Sequence, residues 1–338
     1  SDYLYLRVMC VGWLRTVVLP LVATAPPRGA RRLLAAAAGE AVLPHVPRRF
    51  LIIDTHHLAF RMHFKLPPFS TSTGQPTSAL YGVLRKMLEL DAMFPEYTKF
   101  AVFDSPGPTF RAHIDSEYKQ NRPKSPDGLM WQIERIREGC NYLGLSTFAH
   151  SGVEADDVIA TLVASARASN AEDVVLVSSD KDLLHLCTAQ SAKTRVQVWD
   201  DQKKTMLDHD AVVAKLGVPP PLIPDLLAMM GDTADNVAGI PGIGPKTAAK
   251  LLNEYGSLES VLAAAPTMKK SKRQQAILDF SDQTRISREL VELRHDVPLN
   301  VEKIFCAETP YKKKRDTAGL RAFLQKYELR QLQAQLKL

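Results

Sequence analysis

From residue 50 onward, short apolar runs alternate with longer segments in which apolar residues recur at helical spacing. Four runs have the length and the β-branched or aromatic content of buried strands, and they lie at 50–53, 100–103, 174–177 and 196–199. Three segments have helical periodicity, at about 76–94, 129–143 and 154–168. Buried strands that alternate with helices predict an α/β fold with a mostly parallel central sheet flanked by helices.

The first 49 residues differ from the rest of the chain in charge and composition. They contain seven arginines, no lysine and two acidic residues. A basic, acid-poor, amphipathic leader is typical of a transit peptide for a mitochondrion or a plastid. A membrane segment over 3–24 is the rival interpretation, but Arg7, Arg15 and Pro20 interrupt it, so we expect no membrane span. The mostly apolar residues 8–14 leave a secretory-type signal open.

Charge is almost balanced in the rest of the chain, which holds 36 basic and 35 acidic residues. Hydrophobic residues make up 45% of the 338 positions and charged residues 24%, which is typical of a globular protein with a sizeable core. The four cysteines form no CxxC pair, so a zinc site or a disulfide framework is not expected. We place an α/β domain over 50–222 and a helical subdomain over 223–338, because three prolines at 219–221 mark the entry to the last part.

Nine acidic residues stand at or near the ends of predicted strands or at the starts of helical turns. They are Asp54, Asp104, Glu154, Asp156, Asp157, Asp180, Asp182, Asp232 and Asp235. The carboxyl ends of parallel strands share one edge of a sheet, where ligands bind, so we expect these side chains to converge. Taken singly, each acid also fits a structural role as a strand-end turn residue, a helix N-cap or a partner of a helix dipole.

Nine carboxylates in one place repel one another, and burial of uncompensated charge is prohibitive. Cations must therefore neutralise the cluster, and oxygen-only ligands select hard ions such as Mg²⁺ or Mn²⁺. Two such ions about 4 Å apart can clamp a phosphodiester, one activating water and the other stabilising the leaving oxygen. With the nine acids set aside, 36 basic residues outnumber 26 acidic ones after position 49, which would attract a phosphate backbone.

The segments that carry these acids resemble the 5′→3′ exonuclease domain of bacterial DNA polymerase I and its stand-alone flap-endonuclease relatives. They lie at 53–61, 102–104, 152–157, 179–182 and 230–236. The resemblance extends over about residues 50–335 and departs from the family at Thr55, where glycine is usual. It implies a PIN-like 5′-nuclease fold with a C-terminal helix-hairpin-helix subdomain. It also implies that all nine acids are direct or water-mediated ligands of two Mg²⁺ ions, for which Mn²⁺ can substitute.

The segment at about 105–128 resembles the helical arch, or gateway, of the same family. The resemblance implies that Lys119 contacts the scissile phosphate and that Arg122 stabilises developing charge. It makes Arg111 and Tyr118 candidates for stacking on the DNA or steering its backbone. Composition alone favours a solvated, mobile basic loop for this segment.

Residues 239–252 have the pattern of a helix-hairpin-helix. Gly242 and Gly244 permit a tight hairpin with exposed N–H groups, which suit a phosphate oxygen at a helix N-terminus. Lys246 and Lys250 add positive charge, and such contacts position DNA without reading its sequence. The family resemblance implies a K⁺ ion at this hairpin. A Gly-Pro turn between two structural helices is the alternative.

The resemblance thus implies a monomeric 5′→3′ exonuclease or structure-specific 5′-flap endonuclease that acts on nicked, branched or flapped DNA, including RNA-primed ends, in organellar replication and repair. No polymerase region follows in this chain, so we expect the nuclease to work unfused. A PIN-type ribonuclease is one alternative, and the hairpin and gateway argue against it. A non-catalytic flap-DNA-binding protein is the other, and the complete acid set argues against that.

Overall fold

In this computed structural model, which describes residues 48–301, 304–305 and 313–337, six strands form one sheet in the order β3-β2-β1-β4-β5-β6. The strands are β1 (Arg49–Asp54), β2 (Thr98–Val102), β3 (Ser146–Phe148), β4 (Asp173–Val177), β5 (Arg195–Asp200) and β6 (Thr205–Leu207). Strands β1 to β5 pair in parallel, and β6 pairs with β5 in the antiparallel direction.

Helices surround this sheet and continue beyond it. In the first part of the chain they are α1 (Thr55–Lys65), α2 (Ser78–Met93), α3 (Arg111–Ile114), α4 (Leu129–Tyr142), α5 (Ala155–Ala168) and α6 (His209–Leu216). The later helices are α7 (Ile223–Met230), α8 (Pro245–Tyr255), α9 (Leu258–Ala264), α10 (Lys272–Asp279), α11 (Ser281–Val291), α12 (Thr317–Lys326) and α13 (Arg330–Leu336). Short 3-10 turns occupy Asp182–Leu186, Pro220–Leu222 and Ala265–Thr267.

The predicted α/β class with a mostly parallel sheet is confirmed. The four predicted strands coincide with β1, β2, β4 and β5, and the three predicted helices coincide with α2, α4 and α5. The prediction missed β3 and β6, which have three residues each and lie at the two edges of the sheet. Such short edge strands are bound to few neighbours and carry too few residues for a periodic pattern.

Residues 1–47 of the predicted leader lie outside the described residues. Its last two residues belong to the folded part instead. Arg49 begins β1, and Arg48 donates hydrogen bonds to the carbonyls of Ser169 (2.5 Å) and Phe305. The folded part of the chain therefore includes the last two residues of the predicted leader.

Strand β1 separates two hydrophobic cores. Phe50 and Ile52 belong to one core, which α5 and the helices α7 to α11 continue, and Leu51 and Ile53 belong to the other, which α1, α2, α4 and α12 continue. Both faces are buried, which is why β1 reads as a continuous apolar run. Because β1 is central, Asp54 at its end stands in the middle of the carboxyl edge.

Tight turns connect the C-terminal helices. Gly242 has φ +77°, a backbone conformation that favours glycine, and Gly244 precedes α8. Pro245 occupies the first turn of α8, where its missing N–H would have had no helical partner. In the described residues, no single helix is long and apolar enough to cross a membrane, while a bent pair (209–216 with 220–230) passes on length and composition alone.

Candidate metal and nucleic-acid site

The carboxyl edge of the sheet and the turn after α7 bring eight acidic side chains into one cluster, which we call the acid cluster. It consists of Asp54, Asp104, Glu154, Asp156, Asp180, Asp182, Asp232 and Asp235. Asp54 ends β1, Asp104 follows β2, and Asp180 follows β4. The sheet supplies these three because parallel strands end at the same edge.

Three members of the acid cluster are arranged as a cation site. One carboxylate oxygen each from Asp182, Asp232 and Asp235 lies within 4.8 Å of the others. Oxygens around one Mg²⁺ at about 2.1 Å lie up to about 4.2 Å apart, so a small closure would complete the site. The Oδ1 atom of Asp182 is buried and has no hydrogen-bond partner among the described residues. A buried anionic oxygen without a donor is the kind of atom that a metal ion satisfies.

Backbone amides fix the orientation of half of the acid cluster. In four members one carboxylate oxygen accepts a hydrogen bond from an amide: Asp54 from His57 (3.1 Å), Asp104 from Ala155 (2.7 Å), Asp180 from Asp182 (3.0 Å) and Asp232 from Ala234 (3.0 Å). These four acids therefore do have the kind of structural role, such as helix N-cap or turn residue, that a single acid can fill. The amides use one oxygen of each carboxylate. The second oxygen accepts a hydrogen bond from Ser178 in Asp54 (3.0 Å) and pairs with Lys181 in Asp232 (2.9 Å).

Burial and mutual repulsion raise several pKa values in the acid cluster. Burial raises the pKa of Asp54 to about 6, and Asp180 and Asp104 add repulsion. Burial likewise raises the pKa of Asp182 to about 8, with Asp180 as the strongest repelling charge. The pKa of Asp156 also lies well above its ordinary value, for the same two reasons. Without a cation these carboxyls bind protons more tightly than exposed acids do, and a metal ion would compete with protons for the same oxygens.

Three basic side chains provide partial neutralisation. The Nζ atom of Lys119 lies 2.8 Å from Glu154 and 3.6 Å from Asp235, and Arg122 also pairs with Asp235. Lys181, which follows Asp180 directly, places its Nζ atom 2.9 Å from Asp232. The structure thus brings Lys119 and Arg122 to the acids, and Lys181 is a contact that the sequence did not single out.

The gateway segment is tied by its backbone to the turn after α7. Lys119 adopts φ +57°, uncommon for a residue with a side chain, and its amide donates to the Asp235 carbonyl (2.9 Å). Asn121 donates to the carbonyl of Thr233 (2.6 Å). In return, Asn236 donates to the carbonyl of Glu117 (2.8 Å). These bonds hold the Lys119 ammonium above the acid cluster.

The structure contradicts the expected role of Arg111 as a residue that stacks on DNA or steers its backbone. Arg111 is 1% exposed, so it cannot stack on DNA or steer its backbone in this structure. Its guanidinium donates two hydrogen bonds to Asp157 (2.7 and 2.8 Å) and others to the carbonyls of Leu290 and Glu292 (2.7 Å each). The gateway is also less helical than expected, because within 105–128 the four-residue α3 is the helix that forms.

Asp157 is set apart from the other eight acids. It is fully buried, and its oxygens accept hydrogen bonds from Arg111 and from the amides of Glu154 (3.0 Å) and Arg294 (2.9 Å). With both oxygens occupied and its charge balanced by Arg111, it is not placed to bind a metal. It instead joins α3, α5 and the chain after α11 behind the acid cluster.

Tyr118 is also turned toward the acids. Its hydroxyl lies 3.2 Å from an oxygen of Glu154 and 3.4 Å from one of Asp235, and burial raises its pKa far above the ordinary value. A protonated phenol donates a hydrogen bond here, so the ring is not free to stack on DNA in this conformation.

The predicted hairpin residues lie together on the surface of the C-terminal subdomain. Gly242, Gly244, Lys246 and Lys250 are all exposed. The two lysines lie one turn apart on α8, and among the described residues neither has an ion-pair partner. This surface presents unneutralised positive charge beside a helix N-terminus.

Three side chains near Asp54 were not predicted as site residues. Ser178 donates a hydrogen bond to Asp54 (3.0 Å). His57 lies 2.9 Å from the hydroxyl of Ser179, and His56 lies 3.5 Å from Asp104. Their position next to strand-end acids was a signal in the sequence that could have identified them as site residues. Their hydrogen-bond partners, however, depend on which strands become neighbours in the sheet.

Comparisons with known proteins agree with this geometry. A family model described as 5′-3′ exonuclease, N-terminal resolvase-like domain, matches residues 49–217, and one described as 5′-3′ exonuclease, C-terminal SAM fold, matches residues 218–314. The chain is 38% identical to a 5′-3′ exonuclease of Aquifex aeolicus over 283 residues, which covers 83% of this chain and 92% of that protein. It is 40% identical to DNA polymerase I of Rhizobium leguminosarum over 259 residues, covering 74% of this chain and about a quarter of that protein (25%).

A solved structure has the same fold. The bacteriophage T5 flap endonuclease, in a pseudo-enzyme-product complex with DNA and metal ions, superposes with a TM-score of 0.60 at 22% sequence identity. The similarity covers 83% of this chain and 100% of that one.

Proposed function

Because this chain belongs to the 5′-3′ exonuclease family, we propose that it is a divalent-metal-dependent nuclease that hydrolyses DNA at a free 5′ end or a 5′ flap. The observation that carries the metal dependence is the trio Asp182, Asp232 and Asp235, with its unpartnered buried oxygen. The DNA and metal ions in the related T5 flap endonuclease complex support the same proposal.

We propose two Mg²⁺ ions, for which Mn²⁺ can substitute, because carboxylate oxygens are hard ligands. Asp182, Asp232 and Asp235 would hold one ion. The other members of the acid cluster would hold the second: Asp54, Asp104, Glu154, Asp156 and Asp180. When bound, the ions would supply an activated water and neutralise charge on the leaving oxygen.

The basic side chains of the gateway would act on the substrate. Lys119 and Arg122 now neutralise Glu154 and Asp235. Once metal ions neutralise these carboxylates, the Lys119 ammonium and the Arg122 guanidinium would be free to donate hydrogen bonds to a substrate phosphate. Donors already placed above the reacting phosphate stabilise charge that develops there.

The duplex would be held on the C-terminal subdomain. Exposed amides at Gly242 and Gly244 and the charges of Lys246 and Lys250 suit a phosphate backbone. The same hairpin is our proposed K⁺ site, and replacement of K⁺ by Na⁺ should then weaken DNA binding. We further propose that the protein acts as a monomer on nicked, branched or RNA-primed duplexes.

Cleavage of a 5′-labelled flap duplex with and without Mg²⁺ tests the activity. Wild-type protein should release the flap only with Mg²⁺, and Asp180→Asn should bind the duplex without cutting it. Binding without cleavage by wild-type protein would favour a DNA-binding protein over an enzyme. Much faster cleavage of a single-stranded RNA would favour a PIN-type ribonuclease.

We propose that this nuclease works in mitochondria or plastids, on the basis of the basic, acid-poor composition of residues 1–49. A tagged full-length chain should accumulate in one of these organelles, and a chain without residues 1–47 should not. Equal distribution of the two forms would refute the organellar role and leave the nuclease proposal intact.

A further inference from the structure

A cavity of about 520 Å³ lies among α6, α7 and α8, outside the acid cluster. Its floor is apolar and includes Leu226, Leu227, Met230 and Ala249. Cavities of about 300–1,000 Å³ with apolar walls and a few charged groups are typical binding sites for small molecules or parts of larger ones. This cavity is large enough for one nucleotide.

Four lysines surround the mouth of the cavity: Lys181, Lys215, Lys246 and Lys250. Lys181 forms an ion pair with Asp232. In the described part of the chain the other three form none, and all three are exposed. Like charges around one cavity repel one another and favour an anionic occupant.

The occupant must combine an apolar part with more than one negative charge. Phosphates on either side of a deoxynucleoside meet both requirements, because the sugar and base would contact the apolar floor and the phosphates would lie at the lysines. A continuous strand fits better than a free anion, since the cavity opens beside the proposed hairpin contact at Lys246 and Lys250.

We propose that this cavity binds one nucleotide of a DNA strand, with Lys215 as a phosphate contact outside the hairpin motif. The inference rests on the proposed function, because it assumes that DNA is the substrate. It adds to the hairpin a contact from α6, a helix that lies outside the hairpin pattern. Lys181 connects this subsite to the acid cluster, as it lines the cavity and pairs with Asp232.

The test is DNA binding without metal, so that it does not depend on cleavage. Fluorescence anisotropy of a labelled flap duplex in EDTA, repeated over a range of salt concentrations, would compare wild type with Lys215→Gln. Loss of one phosphate contact should weaken binding about three- to tenfold and reduce the slope of log K against log salt by about 0.9.

Lys326→Gln is the matched control, because it removes one exposed positive charge from α12, which packs on the opposite face of the sheet. It should leave affinity and salt slope unchanged. Equal values for Lys215→Gln and Lys326→Gln would overturn the inference. A wild-type protein that binds duplex but never cleaves it would refute the proposed nuclease and leave this comparison valid.

A second variant tests the apolar floor. Ala249→Met should fill part of the cavity and weaken duplex binding several-fold, with circular dichroism to verify folding. Unchanged duplex binding by folded Ala249→Met would contradict the proposal. The proposal of a DNA-strand subsite would also be wrong if Lys215→Gln weakened binding of a free deoxynucleoside monophosphate and left duplex binding unchanged.

Discussion

Two buried acids, one inside the acid cluster and one outside it, should respond in opposite directions to the same small substitution. Asp54 is 4% exposed and stands among like charges, whereas Asp157 is fully buried and paired with Arg111. Replacement of each by asparagine keeps the size of the side chain and removes its charge. We predict that Asp54→Asn stabilises the metal-free protein and that Asp157→Asn destabilises it.

The magnitude for Asp54 follows from its raised pKa. Because the folded state holds the proton more tightly than the unfolded state, ionisation of Asp54 lowers the free energy of unfolding as pH rises from about 4 through about 6. The difference between a pKa of about 6 and the ordinary 3.8 corresponds to up to about 3 kcal/mol at pH 8. Asparagine avoids this cost and still accepts the N-cap bond from the amide of His57.

The magnitude for Asp157 follows from the charge that it leaves behind. Its substitution would leave the Arg111 guanidinium buried without a carboxylate, and breaking a buried ion pair in this way costs about 3–5 kcal/mol. This loss should be present from pH 5 to 8, because the guanidinium stays charged throughout that range.

Equilibrium unfolding in urea, with EDTA at pH 8 and again at pH 4.5, measures both effects. Asp54→Asn should gain stability at pH 8 and most of that gain should disappear at pH 4.5. A loss of stability for Asp54→Asn at pH 8 would show that the acid cluster is not self-repelling without metal. Equal effects of the two substitutions would refute the separation of Asp157 from the cluster.

Three further substitutions test the roles of single side chains. Lys119→Ala should lower kcat about 10²- to 10³-fold with a smaller change in KM, measured by single-turnover flap cleavage, because its ammonium would stabilise developing charge; an unchanged kcat would remove it from the reaction. Ser178→Ala should weaken Mn²⁺ binding about 10- to 100-fold in calorimetry, since Ser178 orients Asp54, and Ser178→Thr should restore it; failure of that rescue would mean that the loss is merely structural. Lys181→Gln should tighten Mn²⁺ binding, because Lys181 competes for an oxygen of Asp232, and weaker binding would contradict this.

The fold and the position of the acids could be predicted because both depend on local patterns. A central strand buried on both faces is a continuous apolar run, and the acid after it must lie at the carboxyl edge. This reasoning identified Asp54, Asp104 and Asp180 from their distance to the strand ends. The class of the fold required no information about which helix packs on which face.

The roles of Arg111 and Asp157 could not be predicted in the same way. They are 46 positions apart in sequence, and a basic residue in a polar segment has the same local pattern whether it points to solvent or to a buried carboxylate. The resemblance places Arg111 in a gateway, but burial is decided by α11, whose last turn supplies the Leu290 carbonyl. The cavity lined by lysines could not be predicted for a similar reason, because Lys181 and Lys215 come to line the same cavity only through tertiary packing.

Charge balance in the acid cluster leads to an expectation for the number of bound ions. Lys119, Arg122 and Lys181 bring three positive charges to eight carboxylates, and the raised pKa values of Asp54 and Asp182 show that this is insufficient. One bound dication would leave a net charge of about −3 on the cluster, and two would leave about −1, which one retained proton can neutralise. We therefore predict a calorimetric stoichiometry of two Mn²⁺ ions per chain at pH 8, with release of protons on binding. A stoichiometry of one with no proton release would mean that the acid cluster keeps a net charge of about −3 with metal bound, and the two-ion proposal would then fail.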